Sequence, residues 1–197
     1  MKTIVFIGDS VTDCDRLTIP PYGNGYVSLI ASSDEINANV INVGTSGHRL
    51  VDLEKRWNED VLENKPDILS IAIGVNDTWR RYDDNDVTEV IDFENRYRSL
   101  LTITRAECNS KFVLCEPFLL PVREEMKLWR EDLDPKIDVV HRLAKEFDAL
   151  LVPFDSEFTK RSALSSMAEL AEDGIHPTVA GHALMAKLWM DTVRTYL

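Results

Sequence analysis

The chain has 197 residues, 44% of them apolar and 28% charged, with a net charge of −12. That length suits one domain with a full core, expected over residues 1–197, and the acidity opposes nucleic acid, anionic membrane surfaces and polyanionic substrates as partners. Three cysteines, Cys14, Cys108 and Cys115, are odd in number and lack zinc-like spacing, which excludes a disulfide framework and points to a reducing, cytoplasmic setting.

The first element is a continuous apolar run over residues 3–8 that ends in glycine, as a strand buried on both faces does. Its apolar stretch, Ile4 to Ile7, is too short for a secretory leader, which needs about seven apolar residues. Further runs follow at Val40–Gly44, Asp67–Gly74, Lys111–Cys115 and Ala149–Phe154. Between them lie helical patterns: Leu50, Leu53, Trp57 and Val61; then Phe93, Tyr97, Leu100, Leu101 and Thr104; then Ile137, Val140, Leu143, Ala144 and Phe147. A last helix is expected over Val179–Leu197, opened by Pro177-Thr178. Strands alternating with helices predict a five-stranded parallel sheet in a three-layer α/β/α sandwich, flavodoxin-like in outline. No stretch approaches the length of a membrane span.

In such sheets, ligands bind beyond the carboxyl ends of the strands. Ser10, Gly44 and Asn76 each fall just past one. A serine hydroxyl is a weak nucleophile until a base takes its proton. By itself Ser10 is as well read as a turn or cap residue. Asp173 and His176 supply the missing parts: three residues apart on one helical turn, the carboxylate accepts from the imidazole Nδ1–H and leaves Nε2 as the base. Pro177 restrains the backbone of His176. A tetrahedral intermediate also needs donors for its oxyanion. The Ser10 N–H, the Gly44 N–H and the Asn76 side-chain amide are the candidates, although Gly44 and Asn76 also fit plain turn chemistry.

His48 reads as a first-turn residue, and His141 and His182 as helix residues. Trp79-Arg80-Arg81-Tyr82 admits two readings: Trp79 and Arg80 at the lip of a sugar-binding pocket, or a surface loop paired with the acidic run Asp83-Asp84-Asn85-Asp86. Asp13-Cys14-Asp15 has the look of an aspartyl-phosphatase motif, but the strand end there belongs to Asp9-Ser10. No phosphate loop, dinucleotide fingerprint or metal-ligand pattern occurs, so no cofactor and no metal are expected.

Gly8-Asp9-Ser10-Val11-Thr12-Asp13, Gly44, Gly74-Val75-Asn76-Asp77 and Asp173-Gly174-Ile175-His176-Pro177 together resemble the four blocks of the SGNH, or GDSL-type, hydrolases. The α/β-hydrolases share the order Ser…Asp…His but set the serine in Gly-x-Ser-x-Gly, and residue 12 here is threonine. Within the family, Gly44-Thr45-Ser46-Gly47, Thr12–Arg16 and Lys65–Arg80 are similar to small bacterial acetylxylan esterases. The resemblance implies a carbohydrate O-acetyl esterase with Ser10, Asp173 and His176 as triad and Ser10, Gly44 and Asn76 as oxyanion donors. The expected substrates are small-molecule or oligosaccharide esters, notably acetylated xylo-oligosaccharides, and a homo-oligomer is left open. Two rivals remain: a lysophospholipase or thioesterase on the same fold, and a flavodoxin-like phosphate or flavin module over residues 8–15, which Asp9, Asp13 and Asp15 would crowd with negative charge.

Overall fold

The computed structural model describes residues 1–164 and 166–197. Each apolar run contains a strand: β1 (Lys2–Gly8), β2 (Ala38–Asn42), β3 (Ile68–Ala72), β4 (Lys111–Cys115) and β5 (Leu150–Val152). They pair in the order β2-β1-β3-β4-β5, parallel throughout. The linking helices are α1 (Ser10–Asp13), α2 (Tyr26–Ala31), α3 (Leu50–Trp57), α4 (Val75–Asp83), α5 (Val90–Glu107), α6 (Met126–Glu146), α7 (Phe154–Ser162), α8 (Met167–Leu170) and α9 (Val179–Val193).

The continuous hydrophobicity of the strands follows from burial on both faces. In β1, Ile4 and Phe6 pack with α2, α7 and α9, while Val5 and Ile7 pack with α3, α5 and α6. This is the expected three-layer sandwich. Two indole N–H groups brace the packing: Trp189 of α9 donates to Ser70 Oγ in β3 at 3.0 Å, tying a helix to the sheet, and Trp57 of α3 donates to Thr104 Oγ1 in α5 at 2.9 Å, tying two helices of one layer. Truncating either tryptophan to alanine would cost on the order of 3–5 kcal/mol. Among the described residues, no helix is long and apolar enough to cross a membrane.

From β1 the chain moves out to β2, and from β3 it moves the opposite way to β4. That reversal opens a crevice at the carboxyl ends of β1 and β3. A third apolar cluster, including Val75, Met126, Trp129, Leu133 and Ile175, covers one side of this edge. It draws on two helical stretches whose sequence pattern reads otherwise. Residues 79–82 lie in α4 and not in a loop, and α6 begins at Met126 and runs through Pro135, because Trp129, Leu133 and Ile137 share one buried face.

Candidate active site

Ser10 opens α1 directly behind β1, and Asp9 caps that helix by accepting the Val11 N–H at 3.0 Å. Burial pushes the Asp9 carboxyl up to about 6, against the Val11 hydrogen bond and the nearby His176 charge. Ser10 Oγ stands 2.9 Å from His176 Nε2, and His176 Nδ1 stands 2.6 Å from Asp173 Oδ2. With the Nδ1 proton donated to the carboxylate, Nε2 presents its lone pair to the Ser10 hydroxyl.

Asp173 also builds the turn that presents the ring. Its Oδ1 accepts from the backbone N–H groups of Ile175 at 2.9 Å and His176 at 2.8 Å. The segment is therefore a side-chain-braced turn outside any helix, not the helical turn expected from the spacing. Partial burial works to raise the Asp173 pKa, but the hydrogen bonds from His176 and Ile175 outweigh it and hold the carboxyl below its ordinary value.

The other histidines are occupied elsewhere. His182 Nδ1 accepts from the Tyr26 N–H at 3.2 Å, which places its proton on Nε2, facing Cys14 Sγ at 3.3 Å. Burial, helped by the His176 charge, lowers the His182 pKa to about 4 and keeps that ring neutral. Burial, then the Asp15 charge, raises the Cys14 pKa, so a thiolate is disfavoured beside Ser10. His141 pairs with Glu116 at 2.6 Å, and His48 Nδ1 accepts from Arg56 Nε at 3.1 Å.

Asn76 lies in the first turn of α4, 3% exposed, and spends one amide hydrogen on the His48 carbonyl at 3.1 Å. The other has no acceptor among the described residues. Val11 and Val75, the neighbours of Ser10 and Asn76, line one small cavity of about 20 Å³ together with Asp9.

Gly44 departs from expectation. Its N–H donates to Asn42 Oδ1 at 2.9 Å, and the Asn42 amide is in turn held by the Thr12 and Tyr22 carbonyls. A Cβ on Gly44 would stand 2.3 Å from the Asp13 nitrogen, so the residue is glycine to let α1 pass. An N–H already taken by a buried side chain is not available to an oxyanion. Gly47, three residues on, has the opposite character. Its φ of +78° suits glycine, a Cβ there would meet nothing within 4 Å, and its N–H finds no acceptor among the described residues. It sits between Ser46, which lines a groove of about 270 Å³ with Ser10 and His176, and His48, which Asn76 holds.

Trp79 and Arg80 part company. The Trp79 ring is centred 6.2 Å from that of His176 and 5.9 Å from that of Trp129, forming one wall of the site. Arg80 is taken up by Asp83 and Asp84 on its own helix and lies against the Trp79 ring, as the surface reading of this stretch anticipated. Four side chains that sequence reasoning passed over fix the scaffold. Asp13 Oδ2 accepts from Ser46 N–H at 3.1 Å and its hydroxyl at 2.7 Å, and Arg16 donates to the Gly44 carbonyl. Arg56 joins the Val43 and Gly8 carbonyls, and Asp77 accepts from the Leu50 N–H. Asp13, Arg16 and Asp77 lie inside the quoted motif stretches but carried no scaffold role there, and Arg56 carried no motif signal.

Residues 6–184 match the GDSL-like lipase/acylhydrolase family. An acetylxylan esterase from Geobacillus stearothermophilus is 35% identical over 204 residues, covering 96% of this chain and 92% of that protein. Among solved structures, a GDSL-like lipase candidate from Parabacteroides merdae superposes with a TM-score of 0.90 at 36% identity, over 97% of this chain and 94% of the other. A mutant of Axe2, an acetyl-xylooligosaccharide esterase from Geobacillus stearothermophilus, gives 0.87 at 33% identity, over 98% of this chain and 94% of the other. With a serine, an imidazole and a carboxylate in line at the edge of a parallel sheet, the chain belongs to the GDSL-like lipase/acylhydrolase family and is a carboxylic ester hydrolase.

Proposed function

We propose that the chain removes O-acetyl groups from carbohydrates, acetylated xylo-oligosaccharides foremost, through an acetyl-enzyme on Ser10. The observation that carries this reading is the unbroken relay Ser10 Oγ–His176 Nε2 and His176 Nδ1–Asp173 Oδ2, at 2.9 and 2.6 Å. Ser10 attacks the ester carbonyl while His176 takes its proton. Asp173 keeps the tautomer and balances the imidazolium. The Ser10 and Gly47 N–H groups and the free Asn76 amide hydrogen receive the oxyanion, with Gly47 in the place expected for Gly44. His176 protonates the departing sugar alcohol and then activates the water that releases acetate. Trp79, beside His176, offers a flat face to the sugar ring. We assign the whole chain to one catalytic domain and, on its three free thiols, to the cytoplasm.

Ser10→Ala is expected to lower kcat/KM on p-nitrophenyl acetate by at least about 10³-fold with thermal stability unchanged. Activity within about tenfold of wild type would exclude Ser10 as nucleophile. A p-nitrophenyl series from acetate to laurate, run beside acetylated xylo-oligosaccharides, tests the substrate class. Rates should fall steeply beyond propionate; an optimum at octanoate or longer would favour the lysophospholipase or thioesterase reading.

A further inference from the structure

We propose that Asp77 is the positioning residue of the oxyanion site, a tether that fixes the Gly47 loop to the helix carrying Asn76; this rests on the acyl-transfer reading above. Two adjacent residues in the first turn of α4 grip that loop at two points. Asn76 Nδ2 donates to the His48 carbonyl at 3.1 Å, and Asp77 Oδ2 accepts from the Leu50 N–H at 3.1 Å, with Oδ1 at 3.4 Å. Gly47 directly precedes the first grip. On its other side Asp13 holds Ser46. The backbone donor thus lies between two carboxylates from different helices, and its spacing from Asn76 is set by rigid parts.

Packing alone does not call for a carboxylate here. Asp77 is 0% exposed, and burial drives its pKa up to about 7 against the Leu50 N–H bond and the charges of Lys136 and Arg49. A buried carboxyl is a costly way to fill space. Its acceptor, however, answers a local need. Leu50 begins α3, and the residue in the N-cap position is Arg49, whose side chain has no acceptor to offer. Asp77 supplies that cap from a neighbouring helix. The capping bond therefore ties together the two segments that must aim at one oxygen atom. Misplacement by about 1 Å in such a pair costs on the order of 10²-fold in rate.

The test is kcat and KM on p-nitrophenyl acetate for Asp77→Ala, Asp77→Asn and Asn76→Ala, with melting temperatures, beside Ser10→Ala. Asp77→Ala should lower kcat by about 10²-fold with KM within about threefold. Asp77→Asn, whose amide oxygen still reaches the Leu50 N–H, should recover kcat to within about fivefold of wild type. In the Asn76→Ala background the loss from Asp77→Ala should shrink to about tenfold or less, because one of the two donors it aligns is gone. If Asp77→Ala does not fold, Asp77→Ser takes its place, being too short to reach Leu50. A lowered melting temperature with kcat unchanged overturns the proposal. So do an Asp77→Asn enzyme as slow as Asp77→Ala, or losses that simply multiply. Ser10→Ala separates the two failures: a still-active Ser10→Ala removes the acyl-enzyme reading, whereas an inert Ser10→Ala beside a fully active Asp77→Ala removes the tether alone.

Discussion

The two halves of the site are built to different standards. The wall proposed to receive the oxyanion is buried and braced: Asn76 is 3% exposed, Asp77 is 0% exposed, and Asp13, Arg16, Arg56 and Asp77 hold the loop from Gly44 to Leu50 at separate points. The opposite side is a short turn outside any helix, where the Asp173 and His176 side chains are 43% and 45% exposed. Charge on an oxyanion appears for a moment, and donors that have to reorganise to meet it stabilise it little. A base has another task. It must pass one proton to a leaving alcohol and take another from water, and exposure serves both. Rigid donors against an accessible base is the division of labour in this structure.

The largest effect that would break the comparison lies in two glycines of one loop. Gly47→Ala should lower kcat by about 10- to 100-fold, since it strains a backbone at φ +78° and so turns the proposed donor N–H away from its aim. Its melting temperature should drop only a few degrees, in keeping with about 1 kcal/mol of left-handed strain. Gly44→Ala should do the reverse and mainly destabilise, because its Cβ would lie 2.3 Å from the Asp13 nitrogen. Stability curves and kcat on p-nitrophenyl acetate distinguish the two. An inactive, fully stable Gly44→Ala beside an active Gly47→Ala would return the donor to Gly44.

A smaller effect sharpens the accessible side. Trp79→Ala should reduce kcat/KM on acetylated xylo-oligosaccharides by about tenfold while sparing p-nitrophenyl acetate, given roughly 1–2 kcal/mol for a lost aromatic contact. Equal losses on both substrates would mean that Trp79 only buttresses His176 through the Trp129 stack.

The smallest effect concerns pH and the braced wall. Asp77 has a pKa raised from 3.8 to about 7, first by burial, with Leu50, Lys136 and Arg49 opposing and Asp9 reinforcing. Below its unfolded pKa the group is neutral in both states. Between that pKa and about 7 the unfolded chain ionises while the buried group stays protonated, so stability falls across this window. Asp77→Asn stays neutral throughout, so its melting temperature should gain on wild type by about 3 °C or more between pH 4 and pH 8. A gain that does not change with pH would mean that Asp77 is ionised without penalty. Asp173 runs the opposite way: its depressed pKa contributes stability above 3.8 that is lost as pH falls through the folded value.

The sheet and the alignment of Ser10, His176 and Asp173 were legible because both rest on local signals. Runs such as Ile4–Ile7 read as buried strands at once, and Asp173 and His176 are close enough in sequence to be paired by eye. The difference between Gly44 and Gly47 was not. Gly44 and Gly47 differ in whether Asn42 reaches back to the N–H, in backbone conformation and in how closely Asp13 approaches, all facts of tertiary structure that spacing does not carry. Helix α4 was missed because Trp79-Arg80-Arg81-Tyr82 mixes polar and aromatic residues without a clear apolar stripe, and its inner face is set by a third cluster that exists only after folding. The first half of α6 lay outside the helical pattern that began at Ile137, and its inner face too packs into that third cluster. Arg80 and its acidic neighbours were given as one of two readings, and only the side-chain positions chose between them.

The strand ladder acts as a ruler for the chemistry. Gly8 is paired with Ala72 across β1 and β3, so Ser10 stands two residues beyond one rung and Asn76 four residues beyond its partner. A slip of one residue would move one group by about 3.3 Å and turn every side chain of that strand to the other layer. The separation of Ser10 and Asn76 is thus inherited from backbone hydrogen bonds in the interior, which surface change does not reach. Residues around Trp79 and the turn at Asp173 lie outside that ladder, and new leaving groups can be accommodated there with the ruler left unaltered.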